Sequence, residues 1–278
     1  MTPAPAAILP SLIANARMYS VAPGATAAWK RLFAHVIADS GVALTVIDHA
    51  FPAPLDDLWR RDDLGLAFMC GWPWLRMDLG HQIIAAPVPA AAYSGDRPVY
   101  RTEFVVAADS PFQRLEDTFG HRFAFTIDDS HSGYNAPRRH LMRYRKGDTP
   151  LFSEIIGPLT TVRRMLEAIA EGRTDVGPLD SFGYGLLQRH EPELARQTRS
   201  IAATDVVPIP ALMASKSTGA DVVARVRASL LRMHTSPAGA AILADLTIAR
   251  FAELDASGYQ IAETWAKDAE RAGQSRIT

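Results

Sequence analysis

The densest collection of chemistry-bearing residues in the 278-residue chain is Asp128-Asp129-Ser130-His131-Ser132-Gly133-Tyr134-Asn135-Ala136-Pro137. The apolar run RFAFTI (122–127) precedes it and a helical pattern follows it. Pro137 suits a first helical turn, where its missing N–H has no partner to lose. Ser130 or Ser132 then falls at the helix start. Two hydroxyls and several free backbone N–H groups would converge there, with Gly133 permitting close approach, an arrangement that accepts an anion. The same residues equally allow a plainer arrangement, in which Ser132 only caps a helix and Asp128-Asp129 form a turn.

Three aromatic side chains stand near ends of strand-like segments: Tyr19 after the first, Trp72 after LGLAFMCG (64–71), and Tyr100 at the start of the extended run that follows. Each alone could pack in a core. Together they could line a cleft, offering ring faces and one hydrogen bond each. His121, His131 and His140 lack the spacing that sets two imidazoles on one helical face with a carboxylate, so no metal site is expected. Ser130 beside His131 does not bring imidazole to hydroxyl, and no Gly-x-Ser-x-Gly elbow accompanies them, so no catalytic residue is assigned. The single cysteine, Cys70, excludes an intrachain disulfide framework and reads as a small buried hydrophobe. Arg138, Arg139, Arg143 and Arg145 form a basic helix face, read as solvated or as steering anions toward the nearby turn.

Strand-like and helix-like segments that alternate along the chain must position these groups, a pattern that predicts mainly parallel α/β sheets. Strands are expected over 16–21, 42–48, 64–71, 102–109, 122–127 and 174–180, the last ending on Asp180. Helices are expected over 26–40, 55–61, 114–119, from the serine turn to about 145, and over 161–171, 181–190, 219–235, 237–246 and 259–272. The adjacent Gly177-Pro178 pair predicts a short or bulged strand. Two extended segments, 102–109 and 208–215, bracket a βαβ-rich unit and could serve as paired crossings. The expected organisation is a discontinuous lobe, 1–102 plus 210–278, embracing an inserted lobe, 103–209, which would close on a ligand about a two-strand hinge.

With 48% hydrophobic and 21% charged residues the composition is that of a globular chain. Its 29 Lys+Arg against 30 Asp+Glu give a net charge of −1, with no whole-chain attraction for nucleic acid or an anionic membrane. No run approaches the roughly 20 apolar residues of a membrane helix. Residues 1–20 lack a basic start, and Pro10 breaks their apolar run, so no signal peptide is expected within this chain.

LEDTFGHRFAFTIDDSHSGYNAPRRHL resembles the second-lobe segment of phosphonate-binding proteins of ABC importers, a branch of the type II periplasmic binding proteins. Ser130-His131-Ser132-Gly133-Tyr134 matches the family's Ser-Thr-Ser-Gly-aromatic turn, with His for Thr. AIAEGRTDVGPLDSFGYGLLQRHEPELA (168–195) is similar to the family stretch whose strand ends in a ligand-binding Asp, here Asp180, and YRTEFVVAADSPFQRLEDTFG (100–120) to the hinge strand and the helix after it. The His of the family's Gly-Ser-His sequence falls at Val162, a departure that bears on ligand identity. The resemblance implies a two-lobed type II fold and a monomeric solute-binding protein, not an enzyme, that captures a small phosphonate- or phosphate-like anion without a cofactor. An ABC permease is the implied partner and the periplasm the implied location, with the cytoplasm as the alternative. The implied ligand set is Tyr19, Trp72, Tyr100, Ser130, His131, Ser132, Gly133, Tyr134 and Asp180, the acid accepting a hydrogen bond or pairing with a cation on the ligand. An enzyme or a ligand sensor on the same architecture is the alternative function.

Overall fold

The computed structural model describes residues 12–147 and 149–278, so the first eleven residues of the stretch read against a signal peptide lie outside the described residues. Two mixed sheets form the two lobes. The first runs in the order Ile248–Ala252, Gln82–Pro89, Ala211–Ala214, Leu64–Met69, Leu12–Asn15, Leu44–Val46. All six residues of Leu64–Met69 are buried, as an uninterrupted apolar run at the centre of a sheet requires. The second sheet runs Thr198–Ala203, Thr102–Ala107, Val176–Asp180, Arg122–Ala124, Glu154–Ile156.

The sheets are less parallel than the alternation predicts. Leu12–Asn15 pairs in parallel with both neighbours, and so does Arg122–Ala124. The strands that enter from the hinge, Thr102–Ala107 and Ala211–Ala214, are antiparallel to the strands on both sides. They arrive from the other lobe instead of through a crossover helix, so nothing forces them into the parallel direction. The hinge itself lies just before them: Val99–Tyr100 pairs antiparallel with Val207–Pro208. The segments 102–109 and 208–215 are therefore mostly sheet strands, and the crossing is made by the residues that flank them.

Local chemistry accounts for other differences. The first strand is Leu12–Asn15 and not 16–21, because Asn15 Oδ1 accepts the Arg17 N–H at 2.6 Å and turns the chain into a short 3-10 segment, Arg17–Tyr19. Gln82–Pro89 is a strand despite Pro87 and Pro89, which a sequence pattern penalises. Gly177 and Pro178 pair in regular register with Val105 and Phe104, without a bulge. The glycine makes room for the Met165 thioether.

Helix Pro23–Ser40 buries Trp29, Leu32, Phe33 and Val36 on its sheet-facing side and ends at Gly41, whose φ of 64° is the left-handed cap conformation. The C-terminal helix Gln260–Arg271 contacts both helix Gly71–Met77 of the first lobe and helix Ala136–Leu141 of the second. Beyond it the Ser275 carbonyl accepts from Arg138 Nη1 at 2.8 Å, and the Thr278 carbonyl accepts from the Leu151 N–H at 3.0 Å. Ile277, 4% exposed, joins Phe104, Phe123 and Phe152 in the core of the second lobe. The tail of the segment read as first-lobe chain, 210–278, thus packs on the second lobe. Removing residues 275–278 is expected to cost about 2–3 kcal/mol through exposure of this core, seen as a lowered Tm in thermal denaturation. An unchanged Tm would mean that the tail contributes nothing to that core.

Candidate functional site

A cavity of about 850 Å³ opens between the lobes. The first lobe contributes the turn after its first strand, the loop 46–56 and the rings of Trp29 and Trp59; the second contributes Thr126, Ile127, Asp129, Ser130, Ser132 and Gly133, the segment 160–164 and Asp180.

The serine turn takes a specific form. His131–Asn135 is one π-helical turn that runs directly into helix Ala136–Leu141. Ser130 is its cap, with Oγ accepting the Gly133 N–H at 2.9 Å, so the capping role considered for Ser132 belongs to Ser130. Ser132 is buried and lines the cavity, and its carbonyl accepts from the Thr102 hydroxyl at 2.9 Å. Gly133 lies so close to Thr126 that no Cβ would fit.

Asp180 caps the next helix, Ser181–His190. Its Oδ1 accepts the Phe182 N–H at 2.8 Å and the Gly183 N–H at 2.9 Å, while Oδ2 accepts from the Tyr19 hydroxyl at 3.1 Å. Burial pushes the Asp180 carboxyl up to about 6, opposed by the hydrogen bonds from Gly183, Tyr19 and Phe182. Tyr19 is itself buried edge-on against Phe68 and Phe182, at centroid distances of 4.9 and 4.7 Å. The Tyr19–Asp180 bond therefore joins the two lobes at the cavity wall, and the carboxylate has protein donors on both oxygens.

Five of the nine residues singled out in the sequence line the cavity: Tyr19, Ser130, Ser132, Gly133 and Asp180. The other four lie outside its lining. His131 is buried with its ring stacked on Trp265 at 5.4 Å and its Nδ1 beside Asn135 Nδ2; burial pushes its pKa down to about 3, so the ring is neutral. Tyr134 packs on Phe125 with Arg138 above its ring. Trp72 lies under the Arg76 guanidinium, 5.3 Å from its centroid, and Tyr100 is core at the hinge. The arginine face is also not one solvated surface, since Arg138 is buried and Arg139 covers Trp265.

The chief omission is Arg17. It lines the cavity, its side chain has no hydrogen-bond or ionic partner among the described residues, its Nε is buried, and burial lowers its pKa. Its nearness to Tyr19 in the chain is the only signal that pointed to it. Thr126, Thr160 and Thr161 add hydroxyl-bearing side chains on the second-lobe side, and Val162 lines the cavity as an apolar residue. Thr160 holds a φ of 69°, a costly conformation for a β-branched residue.

Two further contacts bridge the lobes: an ion pair between Arg76 and Asp129, and the Arg164 guanidinium 4.9 Å from the Phe51 ring centroid. Among the described residues no group of three His, Cys, Asp or Glu side chains could hold a metal ion, and no helix is long and apolar enough to cross a membrane.

Two mixed α/β lobes joined by a two-strand hinge over an interlobe cleft define a type II binding protein. The chain belongs to the family described as "ABC transporter, phosphonate, periplasmic substrate-binding protein", whose model matches residues 23–259. It is similar in fold to a binding protein component of an ABC phosphonate transporter from Pseudomonas aeruginosa, with 18% identity, 95% of this chain and 88% of that one covered, and a TM-score of 0.79. It is also similar to PhnD1 from Prochlorococcus marinus in complex with methylphosphonate, with 14% identity, 94% and 98% covered, and a TM-score of 0.77. A third likeness is to a Xanthomonas citri protein bound to ATP, with 20% identity, 95% and 98% covered, and a TM-score of 0.63. A comparison with curated proteins finds no match.

Proposed function

We propose that the cleft captures a small anionic solute of the phosphonate or phosphate type and presents it to an ABC permease in the closed form, with no bond made or broken. The unpartnered guanidinium of Arg17 carries this reading: it shares one cavity with Ser130 and Ser132 in the turn that leads into a helix, so a cation and hydroxyl-bearing side chains line the same space. Among the described residues, 12–102 with 210–259 act as one lobe and 103–209 with the C-terminal tail as the other. The protein works as a monomer in the compartment that the permease drains, the periplasm. Methylphosphonate, which the Prochlorococcus protein holds, is one member of the ligand class. Asp180 has its own donors and a raised pKa, and so sits beside an anion with less repulsion than a free carboxylate would exert.

Titration calorimetry with inorganic phosphate, methylphosphonate and phenylphosphonate tests the reading. At least one should bind, and Arg17→Gln should weaken it about 10- to 100-fold, as loss of a hydrogen-bonded charge implies. The Tm should hardly move, because Arg17 has no protein partner to lose. Failure of all three anions to bind would overturn the proposal.

A further inference from the structure

We infer that the solute is a tetrahedral oxyanion carrying a bulky apolar body, aromatic by preference, and not a one-carbon anion. The inference rests on the reading of the cleft as an anion site and concerns the half of the cavity that the anion does not use. A volume of about 850 Å³ falls in the range of sites for drug-sized organic ligands, far beyond what a methylphosphonate occupies.

The two sides of the cavity differ in chemistry. The second-lobe side carries the hydroxyls of Thr126, Ser130, Ser132, Thr160 and Thr161. The first-lobe side brings Met18, Trp29, Phe33, Phe51 and Trp59 together beside polar residues, among them the paired Lys30 and Asp48. Both indole N–H groups on that side are already used: Trp29 Nε1 donates to the Tyr19 carbonyl at 3.0 Å, and Trp59 Nε1 to the Phe68 carbonyl at 2.9 Å. Trp29, Phe33 and Trp59 are almost wholly buried, so Met18 and Phe51 supply the apolar surface that a ligand can touch, and no indole donor is left for a polar one. Phe51 is the one exposed large hydrophobic side chain among the described residues, 42% exposed, and it stands in the cavity lining. An exposed phenyl ring at the edge of a cavity gains most when a ligand covers it. Arg17, next to Met18, belongs to the first lobe yet faces the anion's space, so the charged head would sit where the two sides meet.

The test compares methylphosphonate, phenylphosphonate and phenyl phosphate by titration calorimetry on the full chain. Both phenyl compounds should bind at least tenfold more tightly than methylphosphonate, as burial of a ring implies. Whichever of the two binds better distinguishes a phosphonate from a phosphate ester as the head group. Phe51→Ala, at a surface position, should remove most of that preference, bringing the phenyl compounds close to methylphosphonate in affinity. Methylphosphonate binding as tightly as phenylphosphonate would overturn the inference and leave anion capture standing. A phenyl preference untouched in Phe51→Ala would overturn the apolar wall as its source. Binding by none of the three would remove the anion reading and this inference with it.

Discussion

Gly133→Ala is expected to abolish anion binding and to cost about 1–3 kcal/mol of stability, the usual range for overfilling a packed site. The cause is steric alone, since Gly133 is not among the residues of positive φ. A methyl group at this position would fall well inside van der Waals contact with Thr126 Oγ1 and within 2.9 Å of Ser130 Oγ. Neither neighbour is free to move without loss. Ser130 Oγ caps the turn through the Gly133 N–H, and the Gly133 carbonyl accepts from the Thr126 N–H at 3.4 Å. The added carbon must therefore push apart the groups that assemble the anion site. Urea denaturation would measure the stability loss and calorimetry with phenylphosphonate the binding loss. A double variant that also carries Thr126→Ala should recover part of the stability, because the nearest clashing atom is gone. Wild-type stability and affinity in Gly133→Ala would refute the account.

The second large effect is a change in pH dependence. In the folded chain the Asp180 carboxyl lies at about 6, against 3.8 for an unperturbed group. Between these values the folded state holds a proton that the unfolded state has released. The stabilisation is thus complete below about pH 4 and is lost as pH rises through about 6. A shift of about two units corresponds to about 3 kcal/mol, as an order of magnitude. Asp180→Asn keeps an oxygen to accept from Phe182 and Gly183 and removes the titration. The stability of the variant relative to wild type should therefore rise by roughly this amount between pH 4 and pH 7.5. Urea denaturation across that range measures it. A difference between the two proteins that stays constant with pH would show that the carboxyl is not raised.

What the sequence makes legible, and what it hides, follows from the range of the interactions involved. Leu64–Met69 could be read because six consecutive buried residues declare a central strand, and Pro23–Ser40 because its apolar residues recur at helical spacing. The serine turn and Asp180 could be placed because a strand end followed by a capping residue is a local event. Arg17 could not, since it falls inside the strand expected over 16–21, and nothing local marks the cavity that the second lobe completes around it. Phe51-Pro52-Ala53-Pro54 lies between the expected strand and helix with no site signal of its own, although it lines the cavity. Trp72, Tyr100, His131 and Tyr134 sit in the expected segments, yet their side chains turn toward core or surface partners. Segment position is a local property; side-chain direction is decided by tertiary neighbours.

The tail that ends at Thr278 changes the mechanics of the molecule. With Leu12–Asn15 in one sheet and the Thr278 carbonyl bonded to Leu151 of the other lobe, the described chain begins on one jaw and finishes on the other. The helix before that tail touches both jaws, so it acts as a third tether alongside the two hinge strands, and any swing must slide it over one of its two beds. Pulling on the two ends would strain the closure itself before either sheet unravels. A donor dye near Ser40 and an acceptor near Arg276 would then work as an optical ruler for the swing.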